Sequence, residues 1–195
     1  MGRKVQITKE TILETALQML IREGNGAINI KTLAAEIGCS TQPIVWHFEN
    51  MSGFRKAFFE YCCAYAKSQF AVWNGSLDEL LAETARGYIT IACNMPHLFR
   101  FVFVDNQDVC SENDVVQRMR MDSTNKIIQL LCQEKGMRRE QATSFLLNYE
   151  FYIHGIASYT ASGFCRYTEA EIVDMANRAR EAFFAYEMRE CYGDS

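Results

Sequence analysis

The stretch Asn29-Ile30-Lys31-Thr32-Leu33-Ala34-Ala35-Glu36-Ile37-Gly38-Cys39-Ser40-Thr41-Gln42-Pro43-Ile44-Val45-Trp46-His47-Phe48 decides the fold. Two short helical patterns flank Gly38-Cys39-Ser40, and their spacing predicts helices over 30–37 and 41–47. Asn29 stands where a side-chain oxygen caps the first helix. Leu33, Ala34 and Ile37 share its inner face, and small Ala34 lets the second helix cross closely. Gly38 permits the positive φ of a tight turn. Ser40 is placed to cap the second helix, whose first turn contains Pro43, where a missing N–H costs little. Ile44 and Phe48 point that helix inward. The pattern is a helix-turn-helix, a unit whose second helix fits the major groove of DNA.

The same reading extends outward. Residues 9–23 form an amphipathic helix with Thr8 as N-cap and Gly24-Asn25-Gly26 as terminator. Asn50 opens an aromatic-rich helix over 51–73, which Asn74-Gly75-Ser76 breaks. Helices are predicted over 77–93, 97–104, 114–134 and 138–162, and a last one starts at Thr168, where Glu171 gives capping-box spacing. The apolar 97–104 stretch is assigned to helix because a lone strand has no partner. Pro43 and Pro96 are the only prolines. The fold class is therefore all-α: a three-helix DNA-binding domain over 1–50, followed by a larger helical domain over 51–195 that is left for control and assembly.

Composition bounds the function. Apolar residues make up 49% of the 195, enough for a substantial core. No run approaches the roughly 18 apolar residues that span a bilayer, and no apolar signal region follows Met1-Gly2-Arg3-Lys4-Val5, so a cytoplasmic protein is expected. The eight cysteines are Cys39, Cys62, Cys63, Cys93, Cys110, Cys132, Cys165 and Cys191. They form no C-x-x-C pair and no zinc spacing, which fits free thiols used as small core residues. Adjacent Cys62 and Cys63 are the best candidates for a thiol sensor. Nucleophile-elbow, phosphate-loop and paired-carboxylate patterns are missing, and His47, His97 and His154 lie far apart. No enzyme, metal or cofactor is expected. The net charge of −4 is uneven: residues 1–56 hold seven Lys/Arg against five Glu (+2), and the remainder thirteen against nineteen Asp/Glu (−6). A mildly basic head on an acidic body suits one face meeting phosphate.

The first sixty or so residues resemble the TetR family of bacterial transcription regulators. Ile12-Leu13-Glu14-Thr15-Ala16-Leu17 is similar to the family's first helix, and Leu33-Ala34-Ala35-Glu36-Ile37-Gly38-Cys39-Ser40 to its second helix and turn. Ile44-Val45-Trp46-His47-Phe48, then Glu49-Asn50, is similar to its recognition helix and the step into helix four. His154-Gly155-Ile156-Ala157-Ser158 is similar to a segment of one C-terminal subgroup. The chain departs from the family at Met51, where many members carry a lysine that donates to a phosphate, and at Thr41, often basic or small elsewhere. Glu49 adds a negative charge. DNA affinity then leans on Lys4, Lys31, Arg55 and Lys56.

Within the head, Thr41, Gln42, Pro43 and Val45 are the expected base readers. Gln42 suits adenine N6/N7, and Pro43 and Val45 suit thymine methyls. Trp46 and His47 match positions near the DNA backbone, and Asn29, Lys31 and Thr32 offer phosphate donors. A symmetric dimer would let two such helices read a palindrome. Its expected interface is Gly155, Ser158, Ser162, Ala176, Ala179 and Phe183. The resemblance implies a small-molecule pocket in the middle of the chain, with candidates Phe58, Tyr61, Cys62, Tyr65, Trp73, Phe99, Phe103, Tyr149, Tyr152 and His154. The expectation is a ligand-responsive regulator, most often a repressor in such a family. The alternative is a helical interaction or sensor protein that keeps the fold without sequence-specific DNA binding.

Overall fold

The computed structural model describes residues 7–70, 75–105, 114–164 and 166–189, and for 114–123 the backbone alone. The described residues form helices α1 (Lys9–Glu23), α2 (Ile30–Ile37), α3 (Gln42–Phe48), α4 (Met51–Ser68), α5 (Leu77–Asn94), α6 (Pro96–Phe103), α7 (Asp114–Lys135), α8 (Arg139–Ala161) and α9 (Glu169–Arg189). A single 3-10 turn, Asn25–Ala27, follows α1. There is no strand among the described residues, and no helix there is long and apolar enough to cross a membrane.

Local chemistry sets most helix starts. The Thr8 hydroxyl accepts from the Thr11 amide at the head of α1. Ser76 and Glu79 cap α5 reciprocally, and Thr168 and Glu171 do the same before α9. Two expectations shift. Ser40 does not cap α3: Thr41 holds the N-cap position with helical backbone and no side-chain bond. The α4 helix ends at Ser68 rather than at 73, where the Gln69 amide closes on the carbonyls of Ala66 and Lys67. Trp73 and Asn74 lie outside the described residues.

The apolar faces meet in two cores. The first gathers Leu17, Leu20, Leu33 and Ile44 of α1–α3 with Phe54, Phe58 and Phe59 of α4 and Leu98 and Phe99 of α6. The second joins Leu77 and Ile89 of α5, Leu131 of α7, Phe145 and Tyr149 of α8, and Ile172 and Ala176 of α9. A continuous chain of rings runs through the first core. Phe48 meets Phe54 edge-on at 5.3 Å, Phe54 stacks on Phe58 at 5.4 Å, and Phe58 meets Phe101 at 5.3 Å. Packing thus continues unbroken across residue 50, from α3 through α4 to α6. At the end of α1, Gly24 has φ 85°, and a Cβ there would lie 3.1 Å from His97 Nδ1 of α6. Glycine allows both the conformation and the close seat of α6.

Inside the second core the Tyr149 side chain is 2% exposed, and its hydroxyl has no hydrogen-bond partner among the described residues. Burial pushes its proton affinity up to about 12, against a smaller opposing pull from Arg180. Burial likewise pushes the Cys62 thiol up, which favours its protonated, less reactive form.

Candidate nucleic-acid interface

The first turn of α2 is fixed by its own side chains. Asn29 Oδ1 accepts from the amides of Lys31 (2.9 Å) and Thr32 (3.0 Å). Thr32 Oγ1 accepts from the Asn29 amide at 3.0 Å and donates to the Ala27 carbonyl at 2.7 Å. The single hydroxyl proton of Thr32 is thereby committed, so Thr32 acts in the cap and has none to offer a phosphate. The Asn29 backbone amide and Oδ1 are engaged in the same cap, which leaves its side-chain Nδ2 as the donor for that task. Gly38 then turns the chain at φ 74°.

On α3 the inward and outward faces separate cleanly. Ile44 and Phe48 are buried in the first core. Thr41, Gln42, Val45 and Trp46 are exposed, and Pro43 is half-buried. Trp46 is 73% exposed, too far out to be core packing. His47 faces the other way: its Nε2 lies 2.8 Å from the Ile7 carbonyl. A carbonyl only accepts, so Nε2 carries the hydrogen and ties the chain before α1 to α3. Trp46 packs edge-on to the His47 ring at 4.7 Å. Lys9 Nζ sits 5.4 Å from the centre of the Phe48 ring.

The α3–α4 junction is tight. Glu49 adopts φ 64°, ψ −51°, and the Asn50 amide donates back to the Phe48 carbonyl at 2.7 Å. Asn50 Oδ1 accepts from the Gly53 amide at 3.0 Å. A Cβ on Gly53 would lie 2.3 Å from the Phe48 carbonyl oxygen. Lys31, Arg55 and Lys56 are exposed nearby in sequence, and Lys4 lies outside the described residues.

Six of the expected effector residues, Phe58, Tyr61, Cys62, Tyr65, Phe99 and Phe103, belong to or pack on the first core. The first four lie along α4. Phe99, Phe103 and His154 come together around Tyr88 of α5. Its ring lies 5.0, 4.7 and 6.1 Å from theirs, and its hydroxyl is 2.7 Å from His154 Nδ1. Sequence reasoning passed over Tyr88, and its only signal was an aromatic among the apolar residues of the helix. Tyr149 stands apart in the second core, and Tyr152 faces outward, edge-on to Phe183 at 6.2 Å.

Of the expected interface residues, Ala176 is 1% exposed within the second core, so it serves its own chain and is closed to a partner. Gly155 and Ser162 are exposed, and Ala179 and Phe183 are half-buried. Ser158 is half-buried, and its hydroxyl has no hydrogen-bond partner among the described residues. The outward face of α8 instead carries larger residues that spacing had not singled out, namely Leu147, Phe151 and Tyr159, all exposed.

No protein-family model and no curated protein matches the chain in sequence. Solved structures do match. A TetR-like transcriptional regulator from Rhodococcus sp. RHA1 superposes with a TM-score of 0.69 at 13% identity, covering 95% of this chain and 98% of that one. A single-substitution variant of TetR from Acinetobacter baumannii AYE, solved in complex with minocycline, gives 0.63 at 18% identity over 93% and 98%. TetR from the same bacterium gives 0.60 at 18% identity over 94% and 97%. The chain has the TetR fold. Coverage of nearly the whole of both chains means that the likeness includes α4–α9 as well as the helix-turn-helix.

Proposed function

We propose that this protein is a DNA-binding transcriptional regulator, a homodimer that grips a palindromic operator and is released by a small-molecule effector. The observation that carries the reading is the outward face of α3. Trp46, Val45 and Gln42 are exposed on a helix whose back is fixed by Ile44, Phe48 and the His47–Ile7 bond. A large apolar side chain held out in water on a rigid helix is suited to a partner surface. Val45 and Pro43 suit thymine methyls, Gln42 suits adenine, and Lys31 suits a phosphate.

Binding-site selection with the full chain tests this. We expect an inverted repeat, with half-site centres separated by about 34 Å or a multiple of it. Gln42→Ala should alter the base preference at one position of each half-site. Lys31→Ala should weaken binding to every sequence alike. An unchanged preference in the first variant removes Gln42 from the base-reading set. Recovery of no sequence at all returns the protein to the class of helical interaction modules, which Met51 and Glu49 keep in view.

The dimer reading is supported by α8. Leu147, Phe151, Gly155 and Tyr159 recur every four residues on one exposed stripe, and Tyr186 of α9 is also exposed. A patch of this kind on two antiparallel helices suits isologous packing into a four-helix bundle. Effector binding is supported by the fold, since the A. baumannii variant holds minocycline. In this chain the unpaired Tyr149 hydroxyl and the Tyr88–His154 pair are the polar groups that an apolar effector could use. Repression is the proposed outcome, with the effector favouring a conformation whose heads no longer fit both half-sites. A regulator of this kind works in the cytoplasm, without catalysis.

A further inference from the structure

Glu49 is the only non-glycine residue with positive φ among the described residues. Its φ of 64° and ψ of −51°, with the Asn50 amide bonded to the Phe48 carbonyl at 2.7 Å, form a strained γ-turn. Glycine adopts this conformation freely, and asparagine or aspartate tolerates positive φ better than glutamate. The Glu49 side chain is exposed, and its carboxylate makes no hydrogen bond or ion pair with the described residues. Among the described residues, the side chain therefore sits on strained backbone with no hydrogen bond or ion pair to offset it. It stands one residue beyond α3, at the rim of the surface that carries Trp46.

We propose that Glu49 holds down the protein's affinity for DNA of every sequence, its carboxylate repelling the phosphate backbone at the edge of the recognition surface. The inference rests on the DNA-binding reading above and concerns the strength of that binding. A repelling charge acts on operator and non-operator DNA alike. It leaves sequence preference untouched and lowers both affinities, so that neither head holds DNA well alone. The operator complex then depends on both heads being seated together, which is the condition an effector breaks.

Fluorescence anisotropy tests this with the full chain on two labelled duplexes, an operator recovered by selection and a mixed sequence of equal length. The proteins are wild type, Glu49→Gln, Glu49→Gly and, as a remote control, Glu134→Gln on the exposed side of α7. Glu49→Gln should bind both duplexes about three- to tenfold more tightly at low salt, with the gain shrinking as salt rises. Glu49→Gly should show the same gain together with a higher thermal midpoint, because the strain is gone. Glu134→Gln should match wild type. Wild-type affinity in Glu49→Gln overturns the proposal, and so does an equal gain in Glu134→Gln, which would reduce the effect to net charge. A gain on the operator alone also overturns it, because Glu49 would then be reading sequence. If wild type binds neither duplex, the DNA-binding reading fails as it stands. Binding by Glu49→Gln in that case still sustains the role of Glu49, and binding by neither removes both.

Discussion

Phe58→Ala should destabilise the protein by about 3–5 kcal/mol, the usual cost of removing a buried ring. The side chain is 1% exposed and sits mid-way along the ring chain from Phe48 through Phe54 to Phe101. Its removal opens a cavity bordered by rigid rings on both sides, which cannot collapse into the space as flexible side chains do. Loss of the contact with Phe101 also loosens α6 from α4. Urea denaturation followed by helical circular dichroism measures the cost, and a loss below about 1 kcal/mol would mean that the rings pack independently. Phe58→Leu should recover most of the stability, since it keeps apolar volume at the site.

Gly53→Ala should have the second largest effect, with a sign opposite to that of helix propensity. Gly53 lies in the first turn of α4, where alanine would ordinarily stabilise by up to about 1 kcal/mol. Here the added carbon would meet the Phe48 carbonyl oxygen at 2.3 Å, a backbone atom with no rotamer to escape into. Either α3 or the start of α4 must move. We expect a net cost of about 1–3 kcal/mol and a lower thermal midpoint. On the proposed reading, DNA binding should fall further than stability alone explains, because Phe48 anchors α3 in the first core. A raised midpoint would show that the junction relaxes without strain.

What the sequence disclosed and what it hid follow a physical line. Helix starts at Thr8, Asn29, Asn50 and Thr168 were legible because capping involves residues about three apart. The faces of α3 were legible for the same reason: periodicity placed Ile44 and Phe48 inside and Val45 outside. The end of α4 was not, since no breaker stands at Ser68. Aromatics along α4 and α8 look alike in a sequence, yet Phe58 and Tyr149 serve different cores. Pairings such as Tyr88 with His154 arise from helix packing across 66 positions, which no local pattern encodes. A stripe of small residues reads the same whether it meets its own chain or another, and Ala176 proved to meet its own. The positive φ of Glu49 was invisible because glutamate carries none of the marking that glycine gives.

The ring chain also bears on how readily this head can be exchanged. Phe54, Phe58 and Phe101 line the back of the helix-turn-helix core as fully as Leu17 or Ile44 do. A graft cut at residue 50 would strip those rings from the transplanted piece and leave its core facing water. On the proposed reading, a change of DNA preference is better introduced by replacing the exposed Thr41, Gln42, Val45 and Trp46 on the resident scaffold. For chimaeras, the transferable unit comprises α1–α4 together with the α6 surface that closes over them.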